Sequence, residues 1–574
     1  MLNPGSIFHG SLGGRNLSLR RHIISRACVL FRTITGAALA FWPATAGAQV
    51  ALDRVDPARV EQRAAPDTRP VKDADAPVSA YAPRTAATAG APVTVGAITI
   101  TGLRALRPAD FADIIERNVG RTLGSAELAA LADAVAERAR ERGYVFASAT
   151  VAPQALVAGV LRLNVDEGGV DEVRLSGAEN AAVRAALAPL VGTGPVKIDQ
   201  LERRLLIAGD IDGVWLRRTR FLREAGRNVL DVQVGADPVT GLVGLANDGS
   251  RPIGPVQADG LLKASQLLGP ADLLTVSAVV TPFEPDEFAY GRVRYASRVG
   301  ADGTELFGAF SYAVTHPGAY VEDRNIDGRS STASLGVFRP MWRRRDASLW
   351  LEGTLNLRTI RQDRDEVLAR RDRLTVARVR ATGFVAMLGG RLRADATLSR
   401  GLDLFDATQR GDPLASRRDA DATFTSAALW AGWTGPLAPR VEFEVAAASQ
   451  TASQPLLVSE EVGLGGGRFL RGYDYSERSG DQGAMASAEL RYDLSRKLGP
   501  LAEPRLYSFV DGGRVTNLDG GFGTGTLFSV GGGARARIAD TLAADLGVAV
   551  PLSGERYDSG NAAPVVNFRL SKRF

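Results

Sequence analysis

Cysteine and histidine are almost missing from this 574-residue chain, which has one of the first and three of the second. Cys28 and two of the histidines fall within residues 1–48, a segment with the marks of an export signal. Arg15, Arg20, Arg21, Arg26 and Arg32 form a basic region, Thr33 to Trp42 is a ten-residue apolar stretch, and Ala46-Gly47-Ala48 is an A-x-A cleavage pattern before Gln49. The stretch is too short to remain in a bilayer as a helix. Once residues 1–48 are removed, the chain has no thiol, no disulfide and no Cys-ligated metal, and its sole imidazole is His316. That argues against most zinc centres and against Ser-His-Asp catalysis. No catalytic residue, metal or cofactor is therefore expected.

Two further absences narrow the class. No apolar run reaches eighteen residues, so no helix is expected to span a membrane. There is also no excess charge on the mature chain. The whole sequence carries a net +5, residues 1–48 hold five arginines and no acid, and +5 − 5 = 0. Nothing in that balance points to nucleic acid. What is abundant is glycine, at 63 residues, with a mean hydropathy of −0.04. Such values suit a transmembrane barrel, whose apolar and polar faces average out.

Along the chain, residues 49–92 read as an N-terminal helix and linker, rich in Pro, Ala, Asp and Arg. Asp56 to Ala65 has helical potential because Pro57 suits a first turn. Residues 93–168 read β-α-α-β-β: Val93 to Ile100 extended, Pro108 to Arg117 helical, and a longer helix capped by Ser125 with Glu127 in its first turn. That helix carries Leu128, Leu131, Ala132, Val135 and Ala139 at helical spacing and stops at Gly143; Tyr144 to Val151 and Val160 to Val165 then read as strands. Residues 169–238 repeat the plan.

From 239 to 574 the pattern changes to period two, with sixteen strand candidates. In Ala484 to Tyr492, the alanines, Leu490 and Tyr492 share one face, and Met485, Ser487, Glu489 and Arg491 share the other. In the last strand Val566, Phe568, Leu570 and Phe574 alternate with Asn567, Arg569, Ser571 and Arg573. Strands of this kind close into a barrel with lipid outside and water inside, leaving no unpaired edge in the bilayer. Residues 361–373 and 403–419 read as long, charged outer loops, and 268–271 and 495–503 as short turns. The terminal Phe574 reads as a membrane-assembly signal.

The motif of greatest interest lies in a loop at about 456–480. Gly463-Leu464-Gly465-Gly466-Gly467 does not complete a G-x-G-x-x-G phosphate cradle, because position 468 is arginine. It leads to Leu470-Arg471-Gly472-Tyr473, and Phe509-Val510-Asp511-Gly512-Gly513 follows on a strand some forty residues on. Asp511 shares the inward phase of Phe509 and Gly513, and the glycines at 512 and 513 leave room for a close approach. An ion pair between Arg471 and Asp511 would hold the loop inside the lumen. The acid pairs Glu460-Glu461 and Asp365-Glu366 read as solvated loop groups.

With these residues in hand, the chain resembles the two-partner secretion transporters of the filamentous-haemagglutinin and haemolysin type, within the superfamily that joins POTRA (polypeptide-transport-associated) modules to a barrel. Gly143-Tyr144, Pro153-Gln154, Gly159-Val160-Leu161 and Asp166-Glu167-Gly168 are similar to the family's POTRA module, and Leu-Arg-Gly-Tyr and Phe-x-Asp-x-Gly to its pore-loop and partner-strand motifs. The second module departs from the usual turn, with Gly209-Asp210-Ile211-Asp212-Gly213.

The resemblance implies two periplasmic POTRA domains before a 16-stranded antiparallel transmembrane β-barrel in a Gram-negative outer membrane. It implies a secreted partner, a large adhesin or cytolysin, unfolded in transit. It also implies contact with outer-membrane lipid and with barrel-assembly machinery. Arg471, Gly472, Tyr473 and Asp511 would form the pore-loop latch, supported by Phe509 and Gly513. Gly143, Tyr144, Pro153 and Gln154 would contact substrate. The rival readings are a barrel-assembly factor, a diffusion porin and, least supported, a secreted enzyme. An assembly factor usually carries more modules than this chain has room for, and a porin needs none.

Overall fold

The computed structural model describes residues 53–64, 92–494 and 499–574, apart from 153, 155, 156, 500, 539 and 540. The expected signal peptide, most of the linker and Pro153 lie outside the described residues.

The first module holds β1 (Val93–Thr94), β2 (Ala97–Thr101), a helix Ala112–Asn118, β3 (Thr122–Leu123), a helix Ser125–Glu141, β4 (Ser148–Thr150) and β5 (Val160–Asp166). Its main sheet runs β2-β5-β4. Leu131, Ala132, Val135 and Ala139 face Leu161, Leu163 and Val165 in one buried core. Two local expectations change. Gly124, not Ser125, is the N-cap of the long helix, and the Glu127 carboxylate accepts its N–H at 2.8 Å. The segment Tyr144 to Ala147 is a turn, and only 148–150 pair as a strand. Tyr144 enters the first core and Phe146 the second, so residues two apart point to different cores, which no strand allows.

The second module repeats the order with β6 (Glu172–Gly177), helices Ala181–Leu187 and Ile198–Gly209, β7 (Val214–Glu224) and β8 (Arg227–Ala236). The sheet order is β6-β8-β7, which leaves β7 at an edge. The Asn180 side chain caps the first helix, accepting the Ala182 and Val183 N–H groups at 2.9 and 3.0 Å. Phe146 stacks on Phe221 with centroids 4.0 Å apart, so the two modules share packing.

Sixteen antiparallel strands then close a barrel. The first eight are β9 (Val239–Ala246), β10 (Gln257–Ser265), β11 (Asp272–Val280), β12 (Phe288–Val299), β13 (Thr304–Thr315), β14 (Ile326–Arg343), β15 (Ala347–Arg364) and β16 (Val367–Met387). Next come β17 (Gly390–Leu402), β18 (Thr425–Ala438) and β19 (Val441–Ala452), and then a long loop carrying the short hairpin β20 (Val462–Leu464) and β21 (Arg478–Gly480). The ring resumes with β22 (Gln482–Asp493), β23 (Leu501–Thr516), β24 (Gly525–Ile538), β25 (Leu542–Pro551) and β26 (Val565–Arg573), and β26 pairs back onto β9. Phe574 exchanges main-chain hydrogen bonds with Gly241 at 3.0 and 2.8 Å, extending the closing seam to the last residue. A Cβ at Gly241 would lie 2.2 Å from the Phe574 ring.

One expected outer loop is real: 403–424 joins β17 to β18 without strand structure. The other, 361–373, is instead the paired end of a long hairpin that turns at Asp365 and Glu366, both at positive φ (49° and 64°), as tight hairpins require. Its charges misled because the two strands pair through main-chain hydrogen bonds whatever their side chains, and this end of the hairpin carries charged residues on both faces.

Inside the barrel lies the N-terminal helix Pro57–Ala64. Asp56 caps it, accepting the Ala58 N–H at 2.9 Å, and Pro57 fills the first position. Ala58 is buried among Ile360, Val376, Phe424 and Leu456.

Candidate functional site

The loop 453–481 folds back into the lumen, and its sequence explains how. Gly465 and Gly466 take φ of 109° and 104°, values that L side chains rarely adopt, and so let the loop turn out of its hairpin. Leu470 takes φ of 61°, and the Tyr473 N–H closes a turn on the Leu470 carbonyl at 3.0 Å. Leu464, Leu470 and Tyr473 bury against Val515, Leu527 and Met485 of the wall. Burial of each such side chain contributes about 1.5–3 kcal/mol, and this offsets the left-handed strain at Leu470.

The turn presents Arg471 to the wall. Its Nε and Nη2 donate to the two Asp511 carboxylate oxygens at 3.0 and 2.9 Å, and its main-chain N–H donates to the same group at 3.1 Å. Nη1 donates to Glu489, and Nη2 also to Ser487 Oγ at 3.0 Å. The guanidinium lies 3.4 Å from the Phe509 ring centroid. Asp511 has no exposed side-chain surface, and Arg471 has 13%. Asn567 on β26 donates to the Arg471 carbonyl at 3.2 Å.

The neighbouring positions give the loop a close fit. A Cβ at Gly472 would sit 2.9 Å from the Ser529 Cβ, and one at Gly513 would sit 2.9 Å from a Leu464 methyl. Gly512 faces the other way, toward Phe528 on the outer surface, so it clears no space for the loop. The Tyr473 hydroxyl accepts the Ser553 N–H at 2.8 Å.

Sequence reasoning paired Arg471 with one acid; the structure places it in a larger network. Glu489 also receives Arg491 at 2.6 Å and Arg535 at 2.7 Å, and Arg535 in turn meets Asp545 at 2.8 Å. Alternation had put Ser487, Glu489 and Arg491 on the inward face. The missing signal was register: Glu489 lies opposite Phe509 and Ser487 opposite Asp511 across β22 and β23.

The pair Glu460 and Glu461 corrects a second expectation. Both carboxylates are buried rather than solvated. Arg378 holds Glu460 at 2.6 Å, and Arg417 of the outer loop holds Glu461 at 2.8 Å. Arg59 of the N-terminal helix pairs with the second Glu461 oxygen. Arg54 just before that helix pairs with Asp558 at 3.0 Å and with Glu477 at 3.4 Å. The helix and the loop are therefore tied to each other as well as to the wall. Beside them lies a polar cavity of about 1090 Å³, lined in part by Arg292, Arg380, Ser334, Gln450 and Arg468.

In the first module, the Gly143 carbonyl accepts the Ile198 N–H at 2.9 Å, and Tyr144 is buried with Lys197 over its ring. The Gln154 amide pairs both ways with the Arg162 main chain, at 2.7 and 2.9 Å. These three residues frame the module and its joint to the next. Glu167 accepts the N–H groups of Arg104, Ala105 and Leu106, fixing the loop after β2.

A loop anchored inside a closed barrel behind two β-α-α-β-β modules can be compared with known proteins. The family model for the haemolysin secretion/activation proteins ShlB/FhaC/HecB matches residues 228–536, more than half of the chain. The chain belongs to this family. A model for the ShlB-type POTRA domain matches residues 93–168, the first module. Membership makes this an outer-membrane protein of two-partner secretion with its POTRA region in the periplasm.

Among curated relatives, the outer membrane transporter CdiB of Escherichia coli is 27% identical over 476 residues, covering 78% of this chain and 77% of that protein. The heme/hemopexin transporter protein HuxB of Haemophilus influenzae is 22% identical over 399 residues, covering 67% and 69%. The solved structure of CdiB from Escherichia coli shares the fold, with a TM-score of 0.66 at 24% identity, over 90% of this chain and 95% of that one.

Proposed function

We propose that this protein captures an unfolded partner in the periplasm on its POTRA modules and secretes it through the barrel. In this reading residues 169–238 are a second POTRA domain. The partner adds a strand to a module edge, through main-chain hydrogen bonds that tolerate many sequences. Gly143, Tyr144 and Gln154 shape the neighbourhood of the first such edge at β4, and the resemblance adds Pro153 to the substrate contacts. The partner is a large adhesin or cytolysin, like those the resemblance implies, and Phe574 is read by barrel-assembly machinery as the chain enters the outer-membrane lipid. The protein acts as a transporter and not as an enzyme.

The observation that supports this best is the Arg471 anchor. A loop held against the wall by a buried guanidinium, beside a helix tied to the same loop, suits a conduit that rests closed. Arg471, Gly472, Tyr473 and Asp511 act as the latch, with Phe509 and Gly513 beneath it. Transport would require the helix Pro57–Ala64 to leave the lumen.

The test is secretion of the chain's cognate partner protein, to be sought first in the neighbouring coding region. Arg471→Ala should leave a barrel inserted in the membrane and lower the partner's appearance in the medium. Undiminished secretion by an inserted variant would remove the latch from the mechanism. Loss of other outer-membrane barrels on depletion of the chain would favour the assembly-factor reading instead.

A further inference from the structure

The turn Gly209-Asp210-Ile211-Asp212-Gly213 departs from the family's usual sequence, and the latch makes no use of it. It ends the helix Ile198–Gly209, and Asp210 is that helix's C-cap. An acid is unfavourable there, because the helix dipole places negative partial charge at the same end. The barrel supplies the compensation. Arg343, at the end of β14, donates through Nε and Nη2 to the two Asp210 oxygens at 2.8 and 2.7 Å. Arg298 on β12 donates to the Ile207 and Asp210 carbonyls, which are helix-end acceptors. Arg343 is 1% exposed and lies over the Trp350 ring at 5.0 Å.

The remainder of the turn is fitted to the barrel too. Gly213, at φ 69°, has no room for a side chain, since a Cβ there would lie 1.8 Å from the Ser265 hydroxyl of β10. Arg204, six residues before the cap, donates to the Ala301 carbonyl in the β12–β13 turn at 2.9 Å.

We infer that Asp210 and Arg343 are positioning residues that seat the second module on one sector of the barrel mouth. The seat uses β10 to β15, the second to seventh strands of the ring, with the Asp210–Arg343 pair on β14, the sixth; the loop anchor centres on Asp511 of β23, the thirteenth, and reaches Asn567 on β26, the sixteenth. In a ring of sixteen the two ion pairs are seven strands apart, close to half a turn. The module edge β7, which starts one residue after Gly213, is thereby held at a fixed place on the mouth beside β10, so that a chain leaving β7 meets the lumen from that side. The use made of the seat rests on the transport reading, but the seat itself does not.

The experiment uses the full chain in lipid nanodiscs, with one spin label at position 226 in the β7–β8 turn and one at position 389 in the β16–β17 turn. The parent should give a narrow distance distribution. Asp210→Asn and Arg343→Ala should each broaden it at least twofold, and the double variant should be no broader than either single one. Arg343→Lys should broaden it less than Arg343→Ala. Asp210→Asn changes only the module side, so it stays informative if Arg343→Ala impairs barrel assembly. A distribution as narrow as the parent's in the assembled variants would overturn the seat. Additive broadening in the double variant would overturn the pairing. Neither result bears on whether the protein secretes a partner, so failure of the seat and failure of the transport reading are separable.

Discussion

Arg471 and Arg343 each grip an aspartate with two nitrogens, one inside the lumen and the other at the periplasmic rim. The surroundings differ. Asp511 shares Arg471 with Glu489, and Glu489 is itself held by Arg491 and Arg535. Asp210 takes both prongs of Arg343 at a helix end. A distributed network lets one bond loosen while each charge keeps a partner, which suits a loop that must shift during passage. Two prongs on one carboxylate fix an angle, which suits a module that must stay in register with the mouth. Breaking a buried pair costs about 3–5 kcal/mol when it strands a charge, and less when another partner remains.

That contrast orders the expected effects. Asp210→Asn should be the largest, at about 3–5 kcal/mol. Amide exchange in the helix Ile198–Gly209 should speed up by roughly two to three and a half powers of ten, since about 1.4 kcal/mol is tenfold. Exchange at the parent rate would mean that the rim pair holds nothing. Asp511→Asn comes next. Arg471 loses its two-point partner but keeps Glu489, so loop residues 465–475 should open more easily by about 1.5–3 kcal/mol, read from the same exchange experiment. Glu489→Gln should be milder, at about 0.5–1.5 kcal/mol, because Arg471 keeps Asp511, Arg491 keeps Glu442 and Glu444, and Arg535 keeps Asp545. If Glu489→Gln proved worse than Asp511→Asn, the network and not the aspartate would be the anchor. Reversing both charges at 471 and 511 is a poor test of the pair, because an acid at 471 would face Glu489.

How much of this could be read in the chain follows from the same geometry. Period-two alternation is local, so the barrel, its sixteen strands and the inward phase of Asp511 and Glu489 were legible. The tip residues Arg471 and Tyr473 stood out by their glycine-rich setting. Register and ring position are not local, and so the joining of Arg471 to Glu489, or of Asp210 to Arg343 across 133 positions, left no periodic trace. Charge misled wherever polar residues were buried in pairs: Glu460 and Glu461 read as solvated until Arg378, Arg417 and Arg59 were seen around them. It misled again at 361–373, where a paired hairpin carries charged residues on both faces.

A solvent-exposed pair gives the smallest effect and sets the baseline for the buried ones. In the first module Asp113 meets Arg138 at 2.7 Å and Arg117 at 2.9 Å, with half of the Asp113 side chain open to water. The hydrogen bond from Arg138, more than any other influence, lowers the Asp113 carboxyl to about 2 from its ordinary 3.8. A depressed carboxyl stabilises the fold at pH above its unfolded value, and that contribution fades as the pH falls from about 4 toward 2. The first module should therefore lose a small increment of stability over that range, and Arg138→Ala should remove most of the increment and move the Asp113 titration toward 3.8, with Arg117 keeping a remainder. Titration of the Asp113 carboxyl carbon by NMR reads both. A midpoint unmoved by Arg138→Ala would show that the exposed guanidinium does not set it, and would leave water screening as the whole difference between this pair and the buried pairs at 210 and 511.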